Sequence, residues 1–287
     1  LSNSFKESKK RKVTKRILKK TLLELAINVK AEVKNCHKAS KTFVSSNTSN
    51  FSLKKSNFSQ LSIFREIGYK ELFDTYYKGI FNNINATLRM RAVSKLWSVI
   101  NYVSEREEYV KDEMKVFNEL NNKQTAILNK AQKALLDYIY QLLIQANTFK
   151  NNGERNYVIE LERARADWMK LENRKHPDIV YEKLVRPIIL TNKEYLNLTS
   201  HLVLPCVSLV DDMQLSYRNR SNFINSYSIL FAISANVYLS NLRRLELITS
   251  ILYPSHILSL KRMFNCSKLK EAPKKPLSKL EFIPLPK

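Results

Sequence analysis

The feature that most constrains this chain is a long run of helix-spaced apolar residues that contains no helix breaker. Leu96, Val99, Val103, Val110, Met114 and Phe117 alternate at three and four residues, and Leu128, Ala131, Leu135, Tyr138 and Leu142 continue in phase. Arg106 interrupts the pattern, and its two central positions are the polar Asn121 and Gln124. No Gly or Pro falls between residues 88 and 148. The spacing predicts one helix of roughly 60 residues, ~90 Å at the α-helical rise, with a turn at Asn121-Asn122 as the alternative. A helix of that length cannot bury its own apolar seam, so it needs partners.

The first partner follows at once. Across a connection at 149–153, Tyr157, Leu161, Ala164, Trp168 and Leu171 repeat the same spacing, which predicts an antiparallel hairpin packed by knobs into holes. This helix is expected to stop near His176, where Pro177 cannot continue it. A short helix over 178–185 leads to Arg186-Pro187. Thr191 and Glu194 have capping-box spacing, which predicts a helix from about Lys193 through Leu204, kinked at Pro205.

Between Arg220 and Arg243 lie 22 residues without a formal charge, enough to span a bilayer. Asn222, Asn225, Ser226, Ser228, Ser234, Asn236, Ser240 and Asn241 make the segment a poor solute in hydrocarbon. Tyr227, Phe231, Ala235, Tyr238, Leu242, Leu245 and Leu252 form one stripe, so burial against other helices explains it better than lipid on all sides, and Pro254 ends it.

Upstream, Ile17, Leu18, Leu22, Leu25, Ala26, Val29 and Val33 predict a first amphipathic helix over 13–35. Its opening turns at 15–20 are lysine-rich, which opposes the macrodipole and predicts fraying in the absence of an anionic surface. Residues 36–59, rich in Ser, Asn, Thr and Lys, read as a long loop. Two short helices over 61–68 and 69–80 meet at Gly68. The resulting expectation is an all-α fold: an antiparallel coiled-coil-like helical hairpin packed with C-terminal helices, and flexible basic termini. Its segments are a basic N-terminal arm (1–60), a helical bundle (61–260) and a basic Pro-containing tail (261–287).

The net charge of +23 is unevenly spread. Residues 1–60 carry 15 basic and 3 acidic side chains, 61–260 carry 26 and 21, and 261–287 carry 8 and 2. The densest run, Lys9-Lys10-Arg11-Lys12-Val13, resembles a monopartite nuclear import signal, which is read as an extended strand of cations. It equally suits the positive-inside flank of a membrane segment, a nucleic-acid arm, or a solvated tail without a partner. The chain opens on Leu1 rather than Met, which is compatible with a preceding signal or anchor.

Enzyme signatures are sparse. With three glycines, Gly68, Gly79 and Gly153, all isolated, the chain has no P-loop and no dinucleotide fingerprint. His37, His176, His201 and His256 are scattered, and Cys36, Cys206 and Cys266 form no metal knuckle. A thiol–base pair of His201 and Cys206, with Asp212 nearby, is outweighed by a packed core cysteine whose pKa burial would raise. Asp211-Asp212 reads as a solvated helix end, and Glu105, Glu107, Glu108, Asp112 and Glu113 as a helix face paired with Arg106 and Lys111.

The sequence therefore predicts a non-enzymatic scaffold or interaction protein without cofactor or metal. It is expected to dock on an anionic surface through Lys9, Lys10, Arg11, Lys12, Lys15, Arg16, Lys19 and Lys20. The cytoplasmic face of a membrane stands first, because the basic run leads into an amphipathic helix. A nucleic-acid-binding protein using the same cations, nuclear if eukaryotic, is the alternative, followed by a helical enzyme. A protein partner or self-association through the hairpin is a further expectation.

Overall fold

Residues 2–45 contain neither Gly nor Pro, and their lysines, leucines and alanines have high helix propensity. In a computed structural model, which describes residues 2–45, 58–77, 83–254, 264 and 269–271, they form a single helix, α1 (Ser2–Ser45). Two expectations are corrected here. Lys15 to Lys20 lie inside the helix rather than at its frayed start, so the macrodipole penalty falls on earlier turns. Residues 36–45 are helical rather than loop, because Cys36, Ala39 and Ser40 are buried. The rest of the expected loop, 46–57, lies outside the described residues, as does most of the expected tail.

The remaining elements are α2 (Ser59–Tyr77), α3 (Asn83–Gln145), a 3-10 turn (Ala146–Thr148), α4 (Asn152–Met169), α5 (Pro177–Val180), a π-helical segment (Tyr181–Val185), α6 (Arg186–Tyr195) and α7 (Ser200–Leu252). The fold is all-α, with no strand among the described residues. α3 is continuous through Asn121, as the seam predicted. Gly68 breaks α2 at φ 71°, ψ 160°, a conformation that only glycine adopts readily.

Around Pro177 and Pro187 the structure departs from the sequence reading. α4 ends at Met169, and turns over 170–176 are closed by Trp168 Nε1 donating to the Arg174 carbonyl (2.9 Å). Pro177 then opens α5, where its missing N–H costs nothing. The helical path continues through Pro187, because the Arg186 N–H reaches back to the Tyr181 carbonyl and widens the turn next to the proline. Thr191 consequently lies inside α6, donating to the Pro187 carbonyl (3.2 Å), and caps nothing. α7 starts at Ser200 and passes through Pro205.

The chain divides into two compact units. The first comprises Leu1–Thr42, Ser52–Lys115 and Ser228–Lys275. Within it α1, α2, the first half of α3 and the second half of α7 form an antiparallel helical bundle. Ser228 Oγ donates to the Ser40 carbonyl (2.7 Å) and Tyr253 OH to the Lys15 carbonyl (2.9 Å). The pairing thus advances 25 residues along α7 while retreating 25 along α1, which fixes their register as antiparallel. Asn28 Nδ2 donates to Gln60 Oε1 on α2 (2.8 Å), and Arg65 Nη2 on α2 to Ser104 Oγ on α3 (2.5 Å).

The predicted stripe of α7, from Phe231 to Leu252, is buried in this unit. α7 is the one described helix long and apolar enough to cross a membrane by length and composition, with mean hydropathy 1.2 over its best 18-residue window. Two of its fully buried hydroxyls bond back to the helix itself. Ser234 Oγ donates to the Leu230 carbonyl (2.9 Å) and Thr249 Oγ1 to the Leu245 carbonyl (2.6 Å), which explains how a Ser- and Asn-rich helix packs inside a bundle.

The second unit comprises Phe43–Phe51, Val116–Tyr227 and Pro276–Lys287. Leu135 and Leu142 of α3 pack with Tyr157, Leu161 and Trp168 of α4, as the hairpin seam predicted, and Ile139 is buried with them while the predicted Tyr138 is only partly buried. Ile188 and Ile189 of α6 and Val203, Val210 and Met213 of α7 complete the same core.

Candidate anionic-surface site

The eight cations predicted as a docking site all lie on α1, and its helical geometry sorts them. Leu18, Leu22, Leu25 and Val29 are fully buried and define the inward face. Lys9, Lys12, Arg16 and Lys20, spaced three, four and four residues apart, form an exposed row on the opposite side. Among the described residues no carboxylate approaches Lys9, Lys12 or Arg16 within 4.0 Å, while Lys20 Nζ lies 3.8 Å from Glu24 of the next turn. Phe5, Val13, Ile17 and Ile27 are exposed on the same outer half, Phe5 by 74%. Cations and apolar side chains thus alternate along one outward surface.

Lys10, Arg11, Lys15 and Lys19 are placed differently. Lys10 Nζ is 3.5 Å from Glu71 Oε1 of α2. Arg11 and Lys19 are half-buried. Lys15 sits with its amine 5.9 Å from the centre of the Tyr76 ring, whose hydroxyl hydrogen-bonds that of Tyr253. Burial lowers the Lys15 pKa, and the positive charges of Arg89 and Arg11 lower it further. Lys15 is thus a packed bundle residue, and the basic run is a structured helix rather than an extended strand.

The influence of Arg89 on Lys15 reveals cations that segment counting missed. Arg89 at the start of α3 lies near Lys15, and Lys70 of α2 lies near Lys10; Arg91, Lys95, Arg243 and Arg244 belong to the same unit. In sequence they fall in the near-neutral middle segment, where acids elsewhere in that segment offset them in the sum. Further along α3 the charges are paired locally, Lys111 with Glu107 (2.6 Å) and Lys115 with Asp112 (3.3 Å). Arg243 Nη1 meets Glu271 Oε1 at 3.3 Å, so residue 271 of the C-terminal segment folds back beside α7.

The candidate chemical groups are placed apart. His201 is 64% exposed in its side chain, with Nε2 3.4 Å from Glu154 Oε1, whereas Cys206 is fully buried. Five residues along a helix put them on divergent faces. Burial raises the Cys206 pKa, and the neighbouring Tyr157 and Asn192 offset only part of that rise. Cys36 is likewise buried with a raised pKa, while His37 beside it is lowered by burial and by Lys41. No group of three His, Cys, Asp or Glu side chains suited to a metal occurs among the described residues. Asp211 is raised by burial and by its neighbour Asp212.

Compared with known proteins, the chain matches no protein-family model, no curated protein and no solved structure.

Proposed function

We propose that this protein is a non-enzymatic helical scaffold that docks side-on to an anionic membrane surface through the outer face of α1. The observation that carries the reading is the row of Lys9, Lys12, Arg16 and Lys20 interleaved with exposed Phe5, Val13, Ile17 and Ile27. A nucleic-acid arm needs cations but has no use for four exposed apolar side chains, whereas an interfacial helix uses both. Long Lys and Arg stems can lie along the acyl boundary with their charges among the headgroups.

Each cation near an anionic leaflet contributes about 1 kcal/mol, so neutralising the row removes ~4 kcal/mol, close to ~10³-fold in partitioning. The test is co-sedimentation of the full chain, and of a Lys9→Gln/Lys12→Gln/Arg16→Gln/Lys20→Gln variant, with phosphatidylserine-rich vesicles and with duplex DNA across a salt series. These exposed positions leave the α1 core intact, which deletion of residues 1–20 would not, since Leu18 is buried. Vesicle binding unchanged in the variant sinks the proposal. A DNA-binding salt slope of several units that the substitutions abolish favours the nucleic-acid reading instead.

A further inference from the structure

The seam by which α3 meets its neighbours within the chain, from Leu96 and Val103 to Leu135 and Leu142, is buried. A second apolar row on the same helix is not. Tyr102, Tyr109, Val116, Leu120 and Ile127 are 37–54% exposed. Exposed apolar side chains scattered singly need no explanation. These are aligned: at ~100° per residue, spacings of 7, 7, 4 and 7 keep all five within ~40° of one another on one continuous helix.

We propose that this row pairs α3 with α3 of a second copy of the chain, antiparallel, about a two-fold axis near the level of Asn118. Two independent patterns give that same axis. In an antiparallel pair of identical helices, seating Val116 on Leu120 of the second copy places Tyr109 on Ile127 and Tyr102 on the small, half-buried Ala134. Each apolar side chain of the row thereby meets another, and every contact occurs twice. The charges between these layers obey the same register. Glu105 and Asp112 flank the first half of the row and Lys123 and Lys130 the second half, all four exposed and on one side of it. Reversing the second helix brings Glu105 opposite Lys130 and Asp112 opposite Lys123, each within one residue of the apolar register. Among the described residues, Glu105, Lys123 and Lys130 have no ion pair within 4.0 Å in their own chain. A parallel pair would instead set Glu105 on Glu105 and Lys130 on Lys130. An anionic leaflet or a nucleic acid would meet the carboxylates of Glu105 and Asp112, so a second copy is the occupant that fits. None of the α1 cations takes part, and the pairing stands or falls apart from the proposed docking.

Sedimentation velocity on the full chain between ~1 and ~100 µM should show a monomer–dimer equilibrium, as expected of a small interface. Leu120→Glu, at an exposed position, should weaken dimerisation at least ~100-fold, since each dimer would bury two carboxylates against Val116. Glu105→Lys and Lys130→Glu each set like charges opposite one another twice per dimer and should weaken it about tenfold. Glu105→Lys/Lys130→Glu restores opposite charges in an antiparallel pair and should return the affinity to within about twofold of the parent. Circular dichroism checks that every variant keeps its helix content. Orientation is read by disulfide trapping in an equimolar mixture of Tyr109→Cys and Ile127→Cys chains, with mass spectrometry of the linked peptides. Antiparallel pairing gives the disulfide between positions 109 and 127, while like positions stand ~27 Å apart, beyond the reach of a disulfide. A chain that stays monomeric at ~100 µM overturns the inference. So does a dimer indifferent to Leu120→Glu, a double swap no tighter than the single ones, or trapping between two copies of position 109.

Discussion

Replacing Gly68 with Ala isolates the cost of one backbone conformation. At φ 71°, ψ 160° the residue occupies a region that side chains with a Cβ rarely enter, and a Cβ built there meets nothing within 4 Å. Packing therefore neither adds to the cost nor relieves it. Forcing Ala into that region costs about 1–3 kcal/mol. The lower entropy of the unfolded chain returns about 0.4–1 kcal/mol. The expected net loss is ~1–2 kcal/mol.

Gly153 supplies the control. It lies in the first turn of α4, its N–H accepted by Asn151 Oδ1 at 2.7 Å, and a Cβ there would come 3.3 Å from that oxygen and 3.5 Å from the Thr199 methyl. Gly153→Ala should change stability by less than about 0.5 kcal/mol, since a small shift of Asn151 offsets the gain in helix propensity. Urea unfolding followed by circular dichroism reads both variants, and Trp97 fluorescence in a Trp168→Phe background reads the first unit for Gly68→Ala, because Trp97 makes an edge contact with Tyr69 beside Gly68 (6.0 Å). A midpoint for Gly68→Ala equal to or above that of the parent would refute the argument.

Other perturbations follow from the same geometry. The folded-state pKa of Lys15 is lowered, so its charged form disfavours folding below that pKa, and stability should rise as pH climbs through it toward the unfolded value of 10.5. Lys15→Met should flatten this rise in a pH series of urea midpoints and raise the midpoint at pH 7; a lower midpoint there would mean that the Tyr76 contact outweighs burial. Tyr157→Phe removes the hydrogen bond donated to Asn192 Oδ1 (2.8 Å) and leaves a buried amide oxygen unpartnered. The loss should be about 1–3 kcal/mol by thermal or urea unfolding, and a neutral effect would contradict it. Cys36 and Cys206 should resist alkylation at pH 8 until urea unfolds the chain, as read by mass spectrometry; prompt labelling of either in the native protein would show that the thiol is accessible.

What was legible in the sequence was local periodicity. The seam of α3, the break at Gly68 and the stripe of α7 each follow from spacing within a single segment. The end of α1 was not legible, because residues 36–45 have loop-like composition and are held by partners such as Ser228, 188 residues away. The Thr191–Glu194 pair has the spacing of a cap, but the widened turn at Tyr181–Val185 carries the helix past Pro187 and leaves that spacing without a role. At the candidate site, the exposed row could be read by counting along a helix. The contributions of Arg89 and Lys70 could not, since charge summed along the chain ignores which residues the fold brings together.

The antiparallel pairing of α1 with the last part of α7 has a consequence for synthesis. The core of the second unit lies almost wholly within the continuous segment Val116–Tyr227, whereas the first unit closes only when residues 228 onward have been made. At translation rates of about 5–20 residues per second, Leu18, Leu22 and Leu25 wait ~10–45 s for the helix that finally covers them. The amphipathic helix that opens the chain is therefore the last to find its long-range partner, and over that interval its apolar face is available to chaperones or to a nearby bilayer.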